Sequence, residues 1–254
     1  MTIAACAALV ERGDPDRFLA AMAAPVPARA RLFPLFAFNL EIARAPWVST
    51  EPMIAEMRLQ WWRDVVAEPS PRAHEVAAPL HDLIRSAALP VEVLDRLVEA
   101  RRWDIYRDPF EDQAAMDSYL DDTAGGLMWL SALALGAPQA AEPAVRAYGW
   151  AAGLAAYLRA IPDLAARGRV PLLDGRPEAV SALALRGVIR LNAARRAGRS
   201  IPRAVRPALL PGWQAEAILK QAARDPGAVA EGQLGLSEFS RRGRLLWQAV
   251  TGLF

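Results

Sequence analysis

Leu35-Phe36-Ala37-Phe38-Asn39-Leu40-Glu41-Ile42-Ala43-Arg44 and, far downstream, Leu154-Ala155-Ala156-Tyr157-Leu158-Arg159-Ala160-Ile161-Pro162-Asp163-Leu164-Ala165-Ala166-Arg167-Gly168-Arg169 decide how this chain is read. They belong to a chain of 254 residues, 54% of them hydrophobic and dominated by Ala, a composition that favours helix over strand. No Val/Ile/Thr alternation bounded by Asn-Gly or Asp-Gly occurs, and most prolines stand between helical patterns. The expectation is an all-α fold, a helical bundle in one domain over residues 1–254, with 239–254 as an amphipathic tail.

Outward from the two segments, apolar residues keep helical spacing. Asp14-Pro15 reads as a helix start, with Asp14 as cap and Pro15 at the first position, running to about Met22. Pro25-Val26-Pro27 breaks it, and the next helix spans about Ala28 to Ala45. A third opens at Glu51-Pro52 and carries Ile54, Met57, Trp61, Trp62 and Val66; a Pro/Ser loop, Pro69 to Arg72, follows. Further stripes hold Leu80, Leu83 and Ile84; Val91, Leu94, Leu97 and Val98; and Met116, Leu120, Thr123, Leu127 and Leu130. Later helices are expected over Ala144 to Ala166, Glu178 to Ala197 and Trp213 to Ala223.

Composition excludes several function classes. The net charge is only +2, with Lys220 the single lysine among arginines, so no clustered basic face for nucleic acid is expected. Cys6 stands alone and His74 and His81 are the only histidines, which leaves no disulfide framework or zinc set. The first residues lack the basic start of a secretory signal, pointing to a cytoplasmic protein. The uncharged stretch between Asp122 and Glu142 holds Gly125, Gly126, Gly136 and Pro138 and reads as a buried core helix, so membrane contact would be peripheral, at the inner face.

With the run Trp103 to Trp129 between them, the two opening segments resemble the squalene/phytoene synthase family, from about Arg31 to Leu173. That resemblance implies an isoprenoid synthase-like bundle around a central cavity. In the family the first segment reads like Tyr-Ala-Phe-Cys-Arg-x-x-Asp-Asp, and the second like Asn-x-x-x-Asp-x-x-x-Asp before Ala-Arg-x-Gly-Arg. Carboxylates four residues apart share a helix face. Two such helices hold magnesium, and the metal holds the substrate diphosphates whose ionisation yields a shielded carbocation. Here the Asp-Asp positions fall on Ala43 and Arg44, the Asn on Ala156, and the later aspartates on Ala160 and Leu164. Phe36, Ala37, Phe38, Glu41, Leu158, Arg159, Arg167, Gly168 and Arg169 retain the scaffold. Ala37 to Glu41, Met57 to Arg63 and Leu158 to Pro162 are similar to an atypical branch of the family that includes a mitochondrial assembly factor for respiratory complex I.

Each candidate has a plainer reading beside it. Trp61 and Trp62 could wall a ligand cavity, but aromatic residues on a helix more often form core. Asp121 and Asp122 cannot both face one groove, so a solvated turn or one hydrogen-bonded Asp is expected rather than a metal pair; Gly125-Gly126 resembles a close-packing step. Asp163, behind Pro162, reads as a helix-end charge. Arg159, Arg167 and Arg169 suit an anion or pair with Asp163 and Asp174. The relict cleft would comprise Asn39, Glu41, Tyr119, Asp122, Tyr157, Arg159, Asp163, Arg167 and Arg169, with no catalytic residue and no metal. An emptied cleft, taken with the resemblance to that branch, implies a non-catalytic relative that assists assembly of complex I or another membrane-associated complex, with a protein partner and an isoprenoid or lipid ligand. The competing reading is a magnesium-dependent head-to-head prenyltransferase using Glu41, Asp122 and Asp163 as ligands. The tail sets Arg241, Arg242 and Arg244 beside Leu245, Leu246, Trp247, Val250, Leu253 and Phe254; it suits an anionic membrane, a partner, or its own domain.

Overall fold

A computed structural model describes residues 2–68, 70 and 72–254, with the side chain of Arg199 left aside; Pro69 and Pro71 of the expected Pro/Ser loop lie outside the described residues. Helix accounts for 76% of the chain, and no strand occurs among the described residues. Helix α1 (Ile3–Gly13) was not anticipated from the sequence. Its Ala-rich run carries Cys6, Leu9 and Val10 on one face, and these bury in the core. Asp14 then caps α2 (Pro15–Ala23) as expected, its carboxylate accepting the Arg17 N–H at 2.9 Å.

The chain continues through α3 (Val26–Arg44), α4 (Pro52–Ala67), α5 (Ala77–Ala87) and α6 (Val91–Ala100). α3 is apolar nearly all round: Leu32 to Leu40 are buried without a break, as a central helix requires. Next come α7 (Gln113–Leu120) and α8 (Gly126–Ala134), then α9 (Glu142–Ala166), which starts slightly earlier than expected. The remaining helices are α10 (Pro177–Ala197), α11 (Ala215–Arg224), the single turn α12 (Gly227–Ala230) and α13 (Glu238–Thr251). Pro162 sits inside α9 without ending it; the helix forgoes one hydrogen bond, to the Leu158 carbonyl, and continues for one more turn.

The stripe from Met116 to Leu130 is not one regular helix. α7 and α8 are joined end to end by a π-helical turn, Asp121–Gly125. Such turns insert a residue and re-aim the side chains around them. This interrupted helix runs between two apolar clusters: Leu127 and Leu130 belong to the one built mainly by α1 to α6, Met128 and Trp129 to the one built by α7 to α12. α9 approaches the π turn closely enough that a Cβ on Gly149 would lie 2.9 Å from both the Ala124 carbonyl oxygen and the Gly125 Cα. The close-packing role read for Gly125-Gly126 is thus shared with a glycine on the facing helix.

Candidate functional site

α3, the π turn with its flanking helices, and α9 enclose a cavity of about 320 Å³. From α3 come Phe36, Asn39 and Ala43; from the central helix Tyr119, Leu120, Thr123, Ala124, Leu127, Met128 and Ser131. α9 contributes one continuous stripe, Gly149, Ala152, Gly153, Ala156, Tyr157, Ala160 and Leu164, at the three- and four-residue spacing of one helix face. Ala43, Ala156, Ala160 and Leu164, singled out from sequence, therefore share this cavity wall. Asn39, Tyr119 and Tyr157 join them, whereas Glu41, Arg44, Asp122, Arg159, Asp163, Arg167 and Arg169 are not part of the lining.

Polar groups are few and mostly engaged. Asp104, only 5% exposed, accepts the Tyr119 hydroxyl at 3.1 Å and pairs with Arg101 at 3.3 Å; Arg101 also donates to the Tyr119 oxygen at 3.0 Å. Burial raises the Asp104 carboxyl above its usual range despite the neighbouring Arg101, and burial likewise raises the Tyr119 and Tyr157 hydroxyls. Tyr157 donates to the Pro171 carbonyl at 2.7 Å. Asn39 is 5% exposed, and its Oδ1 is buried without a hydrogen-bond partner. Arg17 reaches the cavity while holding Asp14 at 2.9 Å and lying 5.5 Å from the Phe36 ring.

The arginines expected to hold an anion have other partners. Arg159 pairs with Asp16 at 3.1 Å, not with Asp163 or Asp174. Arg167 lies over the Trp47 ring at 4.6 Å. Arg169 is buried between the rings of Trp47 and Trp103, each 5.3 Å away, and donates to the Trp103 carbonyl. Trp47 itself lines the cavity, so these cations support its wall from behind. Asp121 and Asp122 diverge as expected, to Arg146 at 3.1 Å and Arg96 at 3.6 Å. Asp163 is exposed at the end of α9. Trp61 and Trp62 pack on each other, His74 and Phe38, away from the cavity. The sequence reading missed Arg17, Trp47, Arg101 and Asp104. Asp104 sits in a short 3-10 turn, Arg101–Asp104, too brief for any periodic pattern to mark which face is buried.

Helical segments that meet around one apolar cavity with this order match known proteins. A family model described as squalene/phytoene synthase aligns with residues 10–172. The chain belongs to the squalene/phytoene synthase family. Among curated relatives, the Drosophila melanogaster homolog of NADH dehydrogenase (ubiquinone) complex I, assembly factor 6 is 34% identical over 181 residues, covering 66% of this chain and 53% of its own. The Homo sapiens protein of that name is 27% identical over 169 residues, covering 65% and 51%. The chain thus spans about half the length of these relatives. A dehydrosqualene synthase crystallised with ligand superposes with TM-score 0.81 at 14% identity, covering 99% of this chain and 96% of its own. Squalene synthase HpnC from Alicyclobacillus acidocaldarius gives 0.71 at 20% identity, covering 88% and 93%. These two likenesses establish the isoprenoid synthase-like fold.

Family membership raises magnesium, and the wall can be tested for it. A hard cation shared with diphosphates needs carboxylates that converge and are free to bind. Asp104 is the sole acidic residue of the lining, and Tyr119 and Arg101 already occupy its oxygens. Among the described residues no group of three or more His, Cys, Asp or Glu side chains converges to hold a metal. This lining offers no second carboxylate beside Asp104 with which to share a magnesium–diphosphate cluster.

Proposed function

We propose that this member of the squalene/phytoene synthase family is a pseudoenzyme that assists assembly of respiratory complex I or another membrane-associated complex. The observation that carries the reading is the α9 stripe Ala156, Ala160 and Leu164, sharing the cavity with Ala43, where the family pattern calls for Asn and Asp. Without those carboxylates a diphosphate would enter an apolar space with no metal to neutralise it, which burial of charge opposes strongly. Similarity to proteins named as complex I assembly factor 6 supports the assembly role.

The cavity then serves binding rather than ionisation. Its apolar walls suit an isoprenoid or lipid tail, and the unpartnered Asn39 Oδ1 offers one acceptor to an uncharged donor such as a hydroxyl. The protein itself is peripheral, at the inner face of the membrane that carries the complex. No helix among the described residues is long and apolar enough to cross a membrane.

Deleting the gene and measuring assembled complex I with its NADH oxidation tests the reading. Reduced assembly, restored by the intact chain, is expected; full assembly without the protein overturns the complex I role. The close superposition on a dehydrosqualene synthase favours one competitor, head-to-head prenyl transfer. Incubation with magnesium and radiolabelled farnesyl or geranylgeranyl diphosphate separates the two: the pseudoenzyme returns the substrates unchanged, and repeated turnover would install the competitor.

A further inference from the structure

α13 meets the rest of the molecule through one face only. Leu245 and Gln248 are buried there, and Arg241 pairs with Asp16 and lies 5.9 Å from the Trp213 ring. Asp16 is further held by Arg159 at 3.1 Å and by Gln214 at 2.8 Å, so the helix is fastened beside the cavity-lining helix α9. Burial opposes the Asp16 charge, but those bonds and Arg241 outweigh it and keep the carboxyl below its usual range.

The opposite face is uncovered. Phe239, Leu246 and Val250 recur at seven and four residues and fall on one stripe, with Trp247 beside it. They are 89%, 66%, 69% and 54% exposed respectively. Exposed apolar side chains in such a row mark an interaction surface. Its charge identifies the occupant. Arg242 and Arg244 stand exposed along the helix, and exposed Arg203 donates to the Thr251 carbonyl at its far end. Glu238, the helix's single acidic residue, is engaged by Arg241 and Arg242. An apolar stripe edged by guanidinium groups is complementary to lipid phosphates over acyl chains. A second copy would bring arginine rim against arginine rim, which like-charge repulsion disfavours.

We propose that the outer face of α13 docks on an anionic phospholipid bilayer. Phe239, Leu246, Trp247 and Val250 enter the interface while Arg242, Arg244 and Arg203 meet phosphates. The proposal deepens the peripheral placement given above by naming the surface and the lipid charge, and its test needs no assembly partner.

The full chain is sedimented with vesicles of mixed phosphatidylcholine and phosphatidylglycerol, and with phosphatidylcholine alone. Binding to the mixed vesicles is expected, about tenfold weaker on the neutral ones and reduced by added salt. Leu246→Glu with Val250→Glu weakens it by about tenfold or more, and Phe239→Ser by several-fold. Phe239 is so exposed that its replacement leaves the thermal melt unchanged, which keeps the test valid if the double variant unfolds. Failure of the wild type to pellet with mixed vesicles overturns the proposal, as does undiminished binding by Phe239→Ser. A dimer in solution that Phe239→Ser dissociates, without vesicle binding, assigns the face to a second copy and equally overturns it. Normal complex I in the deletion strain would defeat the assembly reading and leave these vesicle results standing.

Discussion

Asp104 shows what a single buried charge does in this wall. Its carboxylate is covered by the protein and offset by Arg101 and the Tyr119 hydroxyl. Truncation by Asp104→Ala leaves Arg101 buried without its counter-charge, and breaking such a pair typically costs roughly 3–5 kcal/mol. Asp104→Asn keeps an acceptor for Tyr119 and costs less, since burial already opposes the charged form. Urea denaturation of both variants checks the order, and a loss below about 1 kcal/mol for Asp104→Ala would remove the pair from the list of structural supports. Gly149 is the steric counterpart. A Cβ there would meet backbone at 2.9 Å, so Gly149→Ala must push α9 off the π turn. The helical preference of Ala over Gly, about 1 kcal/mol, acts the other way. Overpacking of about 1–3 kcal/mol is expected to win, read as a lower Tm; a raised Tm would mean that the two segments separate freely.

Helices here are held to one another by guanidinium–carboxylate contacts as well as by apolar faces. Glu216 on α11 accepts Arg195 of α10 at 2.7 Å, and also Lys220 one turn along its own helix. Burial opposes the Glu216 charge, but those two bonds outweigh it and lower the carboxyl from 4.5 to about 2. A depressed carboxyl stabilises the fold fully above its unfolded value, and that contribution fades as pH falls toward the folded value. Thermal melts of wild type and Glu216→Gln should therefore differ at neutral pH, with the wild type higher, and converge between about pH 4.5 and pH 2. A gap that stays constant over that range would detach Glu216 from the α10–α11 contact. The elements themselves were largely legible before the structure. The Asp14-Pro15 cap, the apolar run at the centre of α3 and the spacing in α9 all follow from local rules. The π turn did not, because Asp121–Gly125 keeps helical spacing on both sides and its extra residue comes from packing against α9. α1 was missed because its Ala-rich run carries few large apolar residues to mark a periodic face, and Thr2 makes no side-chain capping bond at its start.

At the scale of the molecule, the sequence located the wall better than it located the groups around it. Ala43, Ala156, Ala160 and Leu164 could be placed because the resemblance to the family sets them at its metal-ligand positions, and four-residue spacing keeps the three on α9 on one face. Asp104, Arg101 and Trp47 could not, since they arrive on short turns whose direction depends on the whole bundle. The same wall supplies the decisive test of an emptied cleft. Ala43→Asp, Ala156→Asn, Ala160→Asp and Leu164→Asp together would return the family's ligand types to positions that share one cavity. Three added carboxylates in that space repel one another, so the variant should melt below the wild type in metal-free buffer. A cation that binds only the folded form raises stability by mass action, and magnesium should therefore lift the variant's Tm progressively with its concentration. The wild-type wall offers Asp104 alone, already bonded, and its Tm should not respond to magnesium beyond the effect of matched ionic strength. A specific magnesium response in the wild type, absent with sodium at equal ionic strength, would reveal a ligand set that Ala43 and the α9 stripe do not account for, and would return the protein to the prenyl-transferring members of its family.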